Sequence, residues 1–134
     1  MISTRGRYAL RFLVDLAECQ GEGFTALKDI AARQEISQKY AERLLAMLSD
    51  KNIVDAKHGK GGGYKLNREP KDYKISEILT AMGEELAPVA CLTCGGDGCS
   101  RSDNCRTLPM WKKFHKVVRN FFDSVTLEDL MQKD

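Results

Sequence analysis

Long apolar runs are missing from this chain. No stretch approaches the roughly 18–20 residues that a bilayer-spanning helix needs, which excludes a helical membrane protein. The opening MISTRGRYAL has neither an apolar core nor a small-residue cleavage site, so it does not read as an export signal, and the expected location is the cytoplasm. Charge of one sign is scarce too. The formal net charge is +2, and residues 1–60 hold ten Lys/Arg against eight Asp/Glu. Any polyanionic partner must therefore be met by positive charge that folding gathers on one face. Histidines number two, His58 and His115, and neither is near the cysteines in sequence. There is no paired acid/base constellation and no Gly-x4-Gly-Lys-Ser/Thr phosphate loop, so an enzyme and a small-molecule substrate are not expected. A redox enzyme or electron carrier that uses its thiols is the catalytic class left over.

What is present is a one-domain length of 134 residues, 43% apolar, with no internal repeat or low-complexity segment. Tyr8, Phe12, Leu13, Leu16 and Ala17 recur at helical spacing and predict a helix over residues 4–20, ended by Gly21 and Gly23. Cys19 on that helix reads as a packed core residue. Thr25 is placed to cap a short helix from Ala26 to Arg33, and Ser37 to cap the next one after a tight Gln34-Glu35-Ile36 link. The third helix should bury Tyr40, Leu44, Leu45 and Leu48 and turn Gln38, Lys39, Glu42 and Arg43 outward. Two short strands follow, from Ile53-Val54 and at Tyr64-Lys65-Leu66, joined by Lys57-His58-Gly59-Lys60-Gly61-Gly62-Gly63. Pro70 breaks the chain and Ile75 to Met82 reads as a fourth helix. Trp111, Phe114, Val118, Phe121 and Val125 mark an apolar seam on a long helix. His115, ten residues beyond the last cysteine, is expected on its exposed face. Thr126-Leu127-Glu128-Asp129 looks like a capping box.

The expected fold is mainly α: a winged helix-turn-helix with a two-stranded wing and a long C-terminal dimerisation helix. Residues 1–83 would form the winged helix-turn-helix, 84–106 a cysteine-rich loop, and 107–134 the dimerisation helix and a short terminal helix. In such a unit the first turns of the second helix of the pair face base edges in the major groove. Arg suits guanine, Gln adenine, and Glu accepts from cytosine N4. Candidate DNA contacts are therefore Ser37, Gln38, Lys39, Tyr40, Glu42 and Arg43. Lys57, His58, Lys60, Gly61 and Gly62 belong to the wing, and Arg5, Arg7 and Arg11 to the first helix. Wing glycines let backbone approach phosphates, and the basic side chains supply charge.

Four of the five cysteines fall within 15 residues, as Cys91-x2-Cys94-x4-Cys99-x5-Cys105. In a reducing compartment such a cluster points to metal rather than disulfides. Thiolates suit iron–sulfur clusters, zinc and Cu(I). Structural zinc usually pairs two Cys-x2-Cys knuckles, and only Cys91/Cys94 has that spacing, so a loop-bound iron–sulfur cluster is favoured over zinc. Arg101 and Arg106 would favour the ionised thiols.

Arg5-Gly6-Arg7-Tyr8-Ala9-Leu10, Gly59-x-Gly61-Gly62-Gly63-Tyr64-x-Leu66, and Cys99-x5-Cys105 followed by Trp111 resemble the IscR/NsrR/CymR superfamily of winged-helix regulators, from residue 3 to about residue 130. The resemblance implies a homodimer joined by its C-terminal helices and bound to double-stranded DNA at a roughly palindromic site. It also implies control by a [2Fe–2S] or [4Fe–4S] cluster. Cys99 and Cys105 match the second and third cluster cysteines of the IscR-like branch, and Cys91 the first, with Cys94 competing. That branch often has a ligand histidine three residues after the last cysteine; here Leu108 stands there, which leaves Cys94 as the candidate fourth ligand. The signal such a cluster would report is iron–sulfur status, redox or nitric oxide. Other members bind DNA without any cluster, so a structural zinc site or no cluster, with a response to cysteine metabolism or thiol oxidation, remains the alternative.

Overall fold

The structure, a computed structural model, describes residues 2–19, 23–89, 92 and 104–131. Six helices and one hairpin occur among them: α1 (Thr4–Glu18), α2 (Leu27–Gln34), α3 (Gln38–Asp50), β1 (Val54–Lys57), β2 (Gly63–Leu66), a 3-10 turn Pro70–Asp72, α4 (Ile75–Ala81), α5 (Leu108–Ser124) and α6 (Leu127–Met131). Ala9, Phe12, Leu13, Leu16 and Ala17 line the inner face of α1 and meet Ile30 and Ala31 of α2 and Ala41, Leu44, Leu45 and Leu48 of α3. Ile75, Ile78 and Leu79 of α4 complete the same core, together with Leu127 of α6.

The α2–α3 turn is tight because Glu35 adopts the left-handed conformation, φ 56°. This lets the Ile36 N–H return to the Ala31 carbonyl (3.1 Å) and the Glu35 N–H to Ala32 (3.2 Å). Ser37 then caps α3, its hydroxyl accepting from the Tyr40 N–H at 3.1 Å. Tyr40 is half-buried rather than buried, its ring set edge-on against Tyr8. Thr25 does not cap α2. Ala26 holds that position, while Thr25 exchanges two 2.9 Å backbone hydrogen bonds with Tyr64 and so adds a bridge to the hairpin.

β1 and β2 pair antiparallel, from Val54 opposite Leu66 to Lys57 opposite Gly63. The buried Tyr73 clamps the hairpin's base: its hydroxyl donates to the Ile53 carbonyl at 2.8 Å and accepts from the Asn67 N–H at 3.0 Å. At the other end of the chain, the Ile75 N–H bonds the Val125 carbonyl and the Leu127 N–H bonds that of Tyr73, both at 3.0 Å. The foot of α5 is thereby stitched to the start of α4. Thr126 and Asp129 cap α6 reciprocally, with the Thr126 N–H 2.9 Å from Asp129 Oδ2 and the Asp129 N–H 3.4 Å from Thr126 Oγ1. No helix among the described residues is long and apolar enough to cross a membrane.

Candidate nucleic-acid interface and cysteine segment

Alternation along α3 decides which side chains can meet a partner. With Ala41, Leu44, Leu45 and Leu48 turned inward, Ser37, Gln38, Lys39, Glu42 and Arg43 are all exposed. Of these, Glu42 faces the hairpin across a groove of about 250 Å³ whose walls include Lys57, His58, Gly59, Gly62 and Tyr64. Burial, and to a smaller extent the Glu42 charge, raise the pKa of the Tyr64 phenol, so it stays neutral. Lys57, His58, Lys60 and Gly61 are exposed on the hairpin and Gly62 is half-buried. Lys57 and Lys65 also hold their ammonium groups 5.8 Å and 4.9 Å from the centre of the Phe24 ring. Nothing in the sequence pattern pointed to Phe24, which lies in the loop before α2.

The glycine run has an internal explanation. A Cβ on Gly62 would lie 2.2 Å from the Lys57 carbonyl oxygen, and one on Gly63 would lie 2.0 Å from that of Thr25. Close backbone approach, within the hairpin at Gly62 and against the Thr25 bridge at Gly63, therefore demands these two glycines whether or not a ligand comes near.

Arg5 and Arg7 are exposed on the first turn of α1, and Arg7 donates to Thr4 Oγ1 at 3.2 Å. Arg11 is engaged within the fold. It donates to the Gln34 side chain (2.9 Å) and carbonyl (3.2 Å), and its guanidinium lies 4.7 Å from the Tyr8 ring centre. Next to it Asp15, only 6% exposed, accepts from Arg33 Nη2 at 2.6 Å, Arg33 Nε at 3.0 Å and Gln34 Nε2 at 2.9 Å. The hydrogen bond to Asp15 raises the Arg33 pKa, with burial opposing.

Of the cysteines expected to hold metal, Cys91, Cys94 and Cys99 lie outside the described residues, as does Arg101. Cys105 is half-buried just ahead of α5, its Sγ 3.3 Å from Thr107 Oγ1. Among the described residues no group of three or more His, Cys, Asp or Glu could hold a metal ion. Cys19, expected in the core, is exposed: it sits at the C-cap of α1, two residues beyond Ala17, the last buried position of that helix. His115 also departs from expectation. It is half-buried on the inner side of α5, and its Nε2 is buried without a hydrogen-bond partner among the described residues.

The expected seam on α5 divides in two. At 100° per residue, Val125, Val118, Trp111, Phe122 and His115 occupy an arc of about 80°. Val118, Phe122 and Val125 of this arc pack on the core. Val117, Met110, Phe121 and Phe114 fill an adjoining arc of about 60° and remain uncovered, at 64%, 52%, 56% and 44% exposure. Met110 and Val117 were missed because the seam was read as one stripe rather than two adjacent ones.

A helix pair with a capped, outward-facing second helix, followed by a basic hairpin, defines a winged helix-turn-helix DNA-binding regulator. The chain belongs to the Rrf2 family, described as iron-dependent transcriptional regulators, which matches residues 2–133. IscR of Xenorhabdus nematophila is 33% identical over 131 residues, covering 98% of this chain and 79% of that protein. CymR, the global cysteine regulator of B. subtilis, superposes with a TM-score of 0.78 at 32% identity, covering 98% of this chain and 95% of that one. T. potens IscR does so with a TM-score of 0.72 at 34% identity, covering 98% and 85%. The protein is thus a DNA-binding transcriptional regulator similar to IscR, and not an enzyme.

Proposed function

We propose that this regulator works as a homodimer on a roughly two-fold-symmetric DNA site in the cytoplasm, and that a cysteine-ligated iron–sulfur cluster sets its affinity. Gln38, Lys39, Glu42 and Arg43 read base edges. Ser37 and Tyr40, with Lys57, His58, Lys60, Gly61 and Gly62 of the wing and Arg5 and Arg7 of α1, fix the protein on the backbone. Homodimerisation is supported by the uncovered arc of α5, since four large apolar side chains on one helix face are costly to leave in water.

The donor set suits a [2Fe–2S] or [4Fe–4S] cluster. Cys91, Cys94, Cys99 and Cys105 give four soft thiolates within 15 residues. Cys105 stands three residues ahead of Leu108, the first residue of the 17-residue α5. When bound, such a cluster supplies a redox- and oxidant-sensitive ligand set. The chain's own part is transmission: a pull on Cys105 acts directly on the head of α5, the helix with the uncovered face. That adjacency is the observation that carries this reading.

Iron, acid-labile sulfide and zinc should be measured on anaerobically purified protein, with DNA affinity compared between loaded and stripped forms. Near-equal iron and sulfide and a changed affinity are expected. Zinc alone, at about one per chain, overturns control by a cluster. The likeness to CymR favours a second reading, a cluster-free regulator that responds to cysteine metabolism or thiol oxidation. It predicts neither iron nor sulfide, with DNA affinity that follows thiol state.

A further inference from the structure

The first turn of α1 is capped from a distance. Ser3 occupies the N-cap position and its carbonyl accepts from the Arg7 N–H at 3.2 Å, but its side chain makes no capping bond to its own helix. Instead the Glu84 carboxylate accepts from the Ser3 N–H (3.0 Å), the Gly6 N–H (2.9 Å) and the Ser3 hydroxyl. Two of the donors that a helix start leaves unpaired are thereby satisfied by a residue 78 to 81 positions away. The fit is close, for a Cβ on Gly6 would lie 2.7 Å from Glu84 Oε1.

Glu84 is itself held rigidly. Gly83, at φ +78°, ends α4, with its N–H on the Thr80 carbonyl (3.0 Å) and the Glu84 N–H on Leu79 (2.9 Å). This pair of bonds is a Schellman closure, which fixes the backbone from which the carboxylate projects. The Arg5 guanidinium lies beside the same turn, where a Cβ on Gly83 would come 3.2 Å from its Nη2. Partial burial alone would raise the Glu84 pKa. Bonds from Ser3 and Gly6, and then the Arg5 charge, bring it below its ordinary value, so the group is a carboxylate at neutral pH.

We infer that Glu84 is a positioning residue for DNA binding: clamped to the end of α4, it fixes the first turn of α1 and so the directions in which Arg5 and Arg7 leave it. The inference rests on the reading that those two arginines meet phosphates. It also links them to the chain that leads to the cysteines, the first of which, Cys91, follows Glu84 by seven residues.

Simple electrostatics predicts the opposite sign, because removing a negative charge near DNA relieves repulsion and should tighten binding. A duplex selected by the unaltered protein from a randomised pool serves as probe. Affinity and its salt dependence are measured for the unaltered chain, Glu84→Gln, Arg5→Ala/Arg7→Ala, and the triple variant. The expected result is weakening by about fivefold for Glu84→Gln, within the range for coupled neighbours, and no further weakening in the Arg5→Ala/Arg7→Ala background. Unchanged or tighter binding by Glu84→Gln overturns the inference, as does equal weakening in both backgrounds. If Arg5→Ala/Arg7→Ala alone leaves affinity and salt slope unchanged, the phosphate role has failed and the inference falls with it. Should Glu84→Gln not fold, amide exchange on the unaltered chain decides: Ser3 and Gly6 are expected to be protected, and rapid exchange at both refutes the clamp.

Discussion

At Asp15 and Arg33 the two partners of one ion pair are unequally buried. The Asp15 side chain is 5% exposed and that of Arg33 is 42% exposed. Losing Asp15 returns an arginine to water, whereas losing Arg33 leaves a buried carboxylate with the Gln34 amide and the weak thiol donor of Cys19 as its remaining side-chain partners. Arg33→Ala should therefore cost about 2–3 kcal/mol and Asp15→Asn about 1 kcal/mol, as read by denaturant unfolding. Glu84 gives a pH signature. Its folded pKa is depressed, so its contribution to stability is present above the ordinary carboxylate range and is lost as pH falls through the lowered value. The stability gap between the unaltered chain and Glu84→Gln should close on acidification; a gap constant with pH would contradict this. In the interface, Arg43→Ala should cost about 1–3 kcal/mol and relax preference at one base position. Lys60→Ala should instead weaken all sequences and flatten the salt slope by about one unit.

Among the elements, α3 and its cap were legible because Ser37 and the inward residues obey local rules that tertiary packing does not override. The N-terminus of α2 was misread for the reverse reason. Thr25 has the chemistry of a cap, but a partner 39 residues away in the hairpin claims its backbone. Glu84 was invisible to pattern reading, since its role exists only once α4 and α1 meet; Gly83 as a helix stop was the one available hint. Glu35 marks a local compromise. A non-glycine residue in the left-handed conformation costs roughly 1–2 kcal/mol, so Glu35→Gly should raise stability, net of glycine's backbone entropy, by about 0.5–1 kcal/mol. Unfolding midpoints check this, and a loss of stability would show that the side chain has a compensating role.

For the whole molecule, the mainly helical winged architecture followed from periodicity and punctuation. The division of α5 into a packed arc and an uncovered arc did not, because both are apolar and only the position of the core separates them. Phe121 is 56% exposed, so Phe121→Glu removes little packing within one chain. The expected outcome is an intact fold that sediments as a monomer and has lost most of its DNA affinity, since two half-sites are no longer held together. A stable dimer from this variant would move the interface away from α5.

The hydrogen bonds from Ile75 to Val125 and from Leu127 to Tyr73 give α5 a fulcrum at its C-terminal end. Seventeen residues at 1.5 Å each make a lever of about 25 Å from that pivot to Leu108. A displacement of about 2 Å at Cys105 then tilts the helix by only about 5°, and the motion diminishes steadily toward Val125. Exposed side chains near the free end, Met110 and Phe114, travel furthest, while Phe121 scarcely moves. Such a lever gears down: it would convert a local change at sulfur into a small, graded rotation between two subunits while their grip on each other persists.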